Sequence, residues 1–275
     1  MITGVSITSA QEDGRPLRWG VPLGATLLLI VLWLWGPEGL YAPAREVGYA
    51  VCHQIPARSY WAWDLPLPLC ARCTGQYLGA LVMVGYILWQ GRSRGGQFPS
   101  PSVTMALAGF LVLWAVDGLN SYLAFLNLPH VYSPRNALRL LTGLLQGTAL
   151  VAFFWPLFAA STWRRIGPTA PLTTWHDLAT VLTVNALLGG LILFGDDRIR
   201  YALGLISTAG VILLLSLVLS LPARMVLRRE GASETAGEVI LFLGLGLVLA
   251  LGLLAAVNTL RADLTTRLGL TLPNR

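Results

Sequence analysis

VTMALAGFLVLWAVDGLNSYLAF, residues 103–125, is an uninterrupted apolar run whose only charged side chain is Asp117. As an α-helix rising about 1.5 Å per residue, it is about 34 Å long and can cross the roughly 30 Å hydrocarbon layer of a bilayer. Hydrocarbon offers no water to open backbone groups, so a helix, which satisfies them within its own segment, is the expected form. The rest of the composition agrees. Of 275 residues, 55% are hydrophobic and only 12% charged, and the mean hydropathy is +0.65. A soluble domain carries about 25% charged residues, so this chain cannot cover a globule with charge. The net charge of +6 comes from arginine, with no lysine anywhere. These arginines fall in short loops between apolar runs, where they anchor spans, and this placement argues against a nucleic-acid partner.

Similar runs lie on both sides of residues 103–125. The first, Val21–Trp35, follows Arg15 and Arg18 and reads as an uncleaved span or, alternatively, a signal peptide. The second begins at Cys70 and runs to Trp89. Val103–Phe125 is the third, and the fourth is Asn136–Ala160. His176–Phe194, Tyr201–Leu221 and Glu238–Leu260 complete a set of seven. The expected fold is therefore all-α, a polytopic helical bundle of about seven transmembrane helices. Its expected parts are a polar tail over residues 1–18, a membrane domain over 19–160 that carries the first four spans, and a three-span region with a short C-terminal tail over 161–275. A short amphipathic helix is expected at Pro43–Val51.

The chemistry concentrates in residues 52–79, CHQIPARSYWAWDLPLPLCARCTGQYLG, which hold all three cysteines. Cys70-Ala-Arg-Cys73 is a C-x-x-C at a helix start, and Cys52-His53 precedes it in the connection. Cys52, His53, Cys70 and Cys73 match the Cys₃His donor set of a tetrahedral zinc site, and thiolates equally suit copper(I). Adjacent residues seldom both reach one ion. Either Cys52 joins the C-x-x-C with another donor, or His53 binds and Cys52 packs. Thiol redox chemistry and a disulfide from Cys52 to one of the pair are the competing readings. An odd cysteine count rules out complete internal pairing.

Span polarity gathers further groups at the same face. The second and fourth spans start there and the third ends there. Arg58, Arg72, Asp117, Asn120, Asn136 and Arg139 can thus share one leaflet with the cysteines. Ionisable groups inside spans usually pair, so a salt bridge between Asp117 and Arg139 is expected. Gly75/Gly79 and Gly143/Gly147 have the four-residue spacing that permits close helix approach. Unpaired arginine clusters hugging helix ends point to a cytoplasmic N-terminus, in a multi-pass protein of the cell membrane with residues 52–79 outside the cytoplasm.

The patterns C-H-Q-x-P-x-R-S and P-L-C-A-R-C-T-G-x-Y-x-G, with the later D-G-x-N and N-x-L-R-L-L-T-G-L-L-x-G, resemble the membrane proteins catalogued as domain of unknown function 2085. The resemblance covers about residues 45–150. It implies a fold neighbourhood and no activity. The leading functional expectation is a Cys/His metal site, holding zinc or copper, in a protein of metal handling or complex assembly. The alternatives are a quinone-linked thiol–disulfide oxidoreductase using the C-x-x-C and a small-ion or metal transporter. Whether the chain is an enzyme stays open. The lipid bilayer is the one partner the composition requires, and a membrane-protein partner or a homo-oligomer is left open.

Overall fold

A computed structural model describes residues 36–268. The expected first span and polar tail lie outside the described residues. Within them the chain is an all-α membrane bundle of seven helices: α1 (Gly36–Val51), α2 (Ala71–Trp89), α3 (Pro101–Phe125), α4 (Asn136–Thr162), α5 (Trp175–Phe194), α6 (Asp197–Val226) and α7 (Ala236–Arg267). The α1–α2 connection holds a 3₁₀ turn (Pro56–Arg58) and a minimal antiparallel hairpin, β1 (Trp61–Ala62) with β2 (Leu65–Pro66).

Five helices, α3 to α7, are long and apolar enough to cross a bilayer, and they correspond to the expected third to seventh spans. The helices overshoot the expected spans, most at α6 and α7. An apolar run marks only the part that lipid must surround, while the helix continues to its caps. Asp196 accepts a hydrogen bond from Ile199 N (2.9 Å) to start α6, and Thr235 accepts one from Glu238 N (3.4 Å) to start α7. Thr174 and Asp177 form a capping box at the start of α5. The amphipathic helix expected from Pro43 begins earlier, at Gly36, and carries Pro43 inside it.

Helix α4 is the centre of the bundle. Two-thirds (67%) of its most apolar window is buried, against 17% for α3 and 22% for α7, which therefore turn most of their surface toward lipid. The largest helix–helix interface joins α4 to α2, and its four glycines explain why. A methyl group on Gly75 would overlap the Leu140 carbonyl, and one on Gly79 the Leu144 carbonyl. Reciprocally, Gly143 faces the Arg72 carbonyl and Gly147 the Gln76 carbonyl. The two backbones are in direct contact, as the expected small-residue spacing permits. Below them, Met83, Ile87, Ala149, Ala152 and Trp155 build the main apolar core.

The end of the bundle opposite the cysteines is closed by loops rather than helices. Short parallel bridges join Gly95 to Gly167 and Trp163 to Ser233. Buried Asp177 gathers Arg92 Nη1 (2.8 Å), Tyr86 Oη (2.6 Å) and Thr173 Oγ1 (2.6 Å) there. This network ties α2 to α5, and no motif in the sequence pointed to it.

Candidate functional site

Three chain segments bring the cysteines together. Helix α1 ends at Val51, and Cys52 N still donates to Gly48 O at 2.8 Å, so Cys52 hangs from the last turn. Three residues past the end of α1, Gln54 adopts a positive φ of 49°, which turns the chain away from the helical path. Its side-chain Nε2 donates to both Arg45 O and Pro68 O at 2.8 Å. One glutamine thus stitches the end of α1 to the turn that precedes Cys70. Gly48 makes the approach feasible, because a methyl group there would overlap the Pro68 carbonyl.

Cys70 is the N-cap of α2, and Cys73 lies in its first turn. The sulfurs of Cys52, Cys70 and Cys73 all fall within 4.8 Å of one another, with Cys52 and Cys70 buried and Cys73 half-buried. The three thiols are free of disulfides. Cys52 Sγ accepts two backbone N–H groups, from Cys70 (3.3 Å) and Gln54 (3.4 Å). Such donors stabilise a sulfur that carries negative charge.

His53 sits at the rim. Its Nδ1 is 3.6 Å from Cys52 Sγ, its side chain is exposed, and it is not in the group of mutually close donors. Hydrogen bonding to the Cys52 sulfur first, and to Cys70 next, raises its imidazole to about 9. Of the two arrangements the sequence left open, the geometry matches the one in which Cys52 joins the C-x-x-C.

The back wall comes from the last helices. Val211 of α6 and Leu254 of α7 pack with Cys52, Leu69 and Cys70. Arg261 of α7 donates to the Cys52 carbonyl at 2.8 Å and also to the Tyr49 carbonyl. A cation there complements the negative end of α1. Asn258 adds a bond to Glu46 O at 2.8 Å. None of these positions stood out in the sequence, since Val and Leu on an apolar helix carry no signal and Arg261 reads as a span anchor.

Beside the sulfurs lies the expected polar cluster, wired differently from expectation. Asp117 is ion-paired with Arg72, not with Arg139. Register is the reason. Gly143 sets the Arg72 carbonyl level with Thr142–Gly143, and Thr142 Oγ1 lies 3.4 Å from Asp117 Oδ2, so Arg72 and Asp117 share one depth. Arg139 is a turn further out, and its Nη1 bonds Asn136 Oδ1 at 2.8 Å. Arg72 Nη2 also donates to Ser121 Oγ at 3.1 Å.

Asn120 holds the 128–132 loop: its Oδ1 accepts from Val131 N (2.8 Å) and its Nδ2 donates to Tyr132 O (2.8 Å). That clamp aims Tyr132 Oη at Asp117 Oδ1, 2.9 Å away. Asn136 Nδ2 reaches the Ala57 and Ser59 carbonyls at 3.3 and 3.4 Å, fastening the Arg58 turn to the start of α4. Ser121 and Tyr132 were absent from the sequence reading because a serine and a loop tyrosine have no distinctive spacing.

Residues 52–153 match a family described as "Predicted membrane protein (DUF2085)". An uncharacterised protein of Methanocaldococcus jannaschii, MJ1492, is 29% identical over 115 residues, covering 42% of this chain and 68% of that protein. No solved structure matches. The chain is therefore similar to a family of uncharacterised membrane proteins over residues 52–153, the segment that contains every cysteine and the whole of the Arg72–Asp117 cluster.

Proposed function

We propose that Cys52, Cys70 and Cys73 form a thiolate metal site at one membrane face, with His53 as the nearest further donor, and that the protein handles the metal or uses it in assembling a membrane complex. The observation that carries this reading is the meeting of three sulfurs within 4.8 Å, one of them accepting two backbone N–H groups. The donor set fits. Sulfurs at about 2.3 Å from a tetrahedral ion lie about 3.8 Å apart, so only a small contraction is required. Three thiolates suit zinc or copper(I). A bound ion would hold the end of α1 against the start of α2 with sulfur ligands. The surrounding residues would supply the support: Gln54 fixes the spacing of the two segments, Arg261 secures the Cys52 carbonyl, and Val211 and Leu254 exclude water on the inner side. The polarity of the arginine clusters supports placing this face outside the cytoplasm.

Elemental analysis of detergent-purified protein tests the reading. Wild type is expected to carry close to one equivalent of zinc or copper, and the Cys70→Ser, Cys73→Ser double variant to lose it. Substoichiometric metal in both would sink the proposal.

A second reading rests on the same thiols. A C-x-x-C at a helix N-terminus, with Cys52 within reach and Arg72 next in sequence to Ala71, is also an arrangement for thiol–disulfide exchange. Oxidising Cys70 and Cys73 to a disulfide releases two electrons and two protons, which a membrane quinone can accept. Thiol trapping in cells discriminates, because only this reading requires the pair to cycle between oxidised and reduced forms.

A further inference from the structure

Three arginines gather beside the thiol cluster around a single carboxylate among the described residues. Asn136 links the turn that carries Arg58 to the Arg139 side chain, since it bonds the carbonyls on either side of Arg58 and also Arg139 Nη1. Arg72 lies a turn deeper, and the charges of Arg58 and Arg72 both act on Arg139. Arginine cannot shed its proton in a protein. The carboxylate placed among them is Asp117, and its oxygens already serve Arg72, Tyr132 and Thr142. The other negative group acting on Arg139 is the Cys70 sulfur, which belongs to the thiol site, so among the described residues three guanidiniums have one carboxylate of their own.

Burial makes the imbalance costly. Arg139 is only 7% exposed, and its Nε has no hydrogen-bond partner. Arg72 Nε is buried and equally unpartnered. A buried charge lacking a counter-ion is strongly unfavourable, so the group calls for an anion.

The shape and place of the cluster narrow the anion's class. The arginines come from three different elements: the 3₁₀ turn, α2 and α4. Guanidiniums carried by separate elements, each able to pair in parallel N–H bonds, suit the several oxygens of a tetrahedral oxyanion. The rim faces the lipid side. Arg58 Cζ lies 4.9 Å over the ring of Phe125, at the end of α3, the helix that shows most of its surface to lipid. Trp61 and Trp63, exposed on the neighbouring hairpin, suit the headgroup level.

We propose that Arg58, Arg72 and Arg139 form a binding site for a phosphate-class oxyanion, supplied by an anionic lipid headgroup or by free phosphate. The site stands on the arginines and does not depend on metal at the thiols.

Calorimetric titration of the full chain in neutral detergent, with inorganic phosphate and with short-chain phosphatidylglycerol, tests this. Wild type is expected to bind at least one probe saturably. R58Q and R139Q each weaken that binding about tenfold or more, whereas R165Q, at the opposite end of the bundle, leaves it unchanged. R58Q alters a half-buried turn residue and keeps the test valid if R139Q fails to fold. Binding of both probes identifies free phosphate as sufficient, and binding of phosphatidylglycerol alone identifies the headgroup. The Cys70→Ser, Cys73→Ser variant retains the binding whatever its metal content, which separates this proposal from the metal reading. No saturable binding of either probe, or undiminished binding in R58Q and R139Q, overturns it.

Discussion

Gly143→Ala is the change that most directly tests how the bundle positions its thiols. An added methyl group would meet the Arg72 carbonyl oxygen and lie 2.9 Å from Gln76 N. Both are backbone atoms, so no rotamer change clears the space. Helices α2 and α4 must part by about 1 Å before ordinary carbon contact near 3.5 Å is restored, and a gap of that size forfeits up to about half of each lost contact's attraction. Overpacking of this kind costs about 1–3 kcal/mol, against which alanine's better helix propensity returns up to about 1 kcal/mol. The net expectation is a loss of about 1–2 kcal/mol, which for a chain of this size lowers the melting temperature by about 3–6 °C. Gly147→Ala meets Gln76 O and Ala80 N and should behave alike. Gly252→Ala, with nothing within 4 Å of the added carbon, should be neutral or mildly stabilising. Thermal unfolding followed by tryptophan fluorescence in one detergent compares the three.

Gly143→Ala has a second consequence that Gly147→Ala lacks. Arg72 lies between the two cysteines of the C-x-x-C, so parting the helices there moves Cys70 and Cys73 relative to Cys52. Metal sites tolerate about 0.2 Å in ligand distance. If the thiols hold a metal as proposed, a displacement several times larger should lower its affinity about 10- to 100-fold, the range associated with loss of supporting groups. If Gly143→Ala and Gly147→Ala melt at or above wild type, as Gly252→Ala should, the claim that backbone contact couples α2 to α4 is wrong.

Asp117→Asn removes the charge partner of Arg72 while keeping its size, and should cost about 3 kcal/mol, because a largely buried guanidinium is left uncompensated; a melting temperature equal to wild type would contradict the pairing. Gln54→Ala loses two hydrogen bonds that join α1 to the Cys70 turn, for about 1–3 kcal/mol, and should speed alkylation of Cys70 in the metal-free protein; unchanged alkylation would show that the stitch does not hold the turn. In the metal-free protein, His53 should titrate near 9, well above its ordinary value. Because the folded value is raised, its stabilising effect is complete below about pH 6.5 and is lost as pH rises through about 9. An NMR titration midpoint near 6.5 would refute the hydrogen bonds to Cys52 and Cys70.

Composition and run length were enough to establish a helical membrane protein, since hydrocarbon accepts only segments that satisfy their own backbone and are long enough to cross it. Spacing alone also marked Gly75/Gly79 and Gly143/Gly147 as faces that permit close helix approach, and span direction put the polar residues at one face; that the two glycine pairs meet each other came from the structure. Partner choice required the tertiary structure. Asp117 pairs with Arg72 and not with Arg139 because glycine-to-carbonyl contact sets Arg72 level with Thr142–Gly143, the level at which α3 presents Asp117, while Arg139 lies a turn away along α4. Likewise, only packing shows that Cys52 joins the C-x-x-C while His53 stays at the rim, and that Val211, Leu254 and Arg261, some 140 to 210 residues away in sequence, close the thiol site from behind. Periodicity places a residue on a face of its own helix; which neighbour that face meets, and at what height, is determined by the contacts between helices.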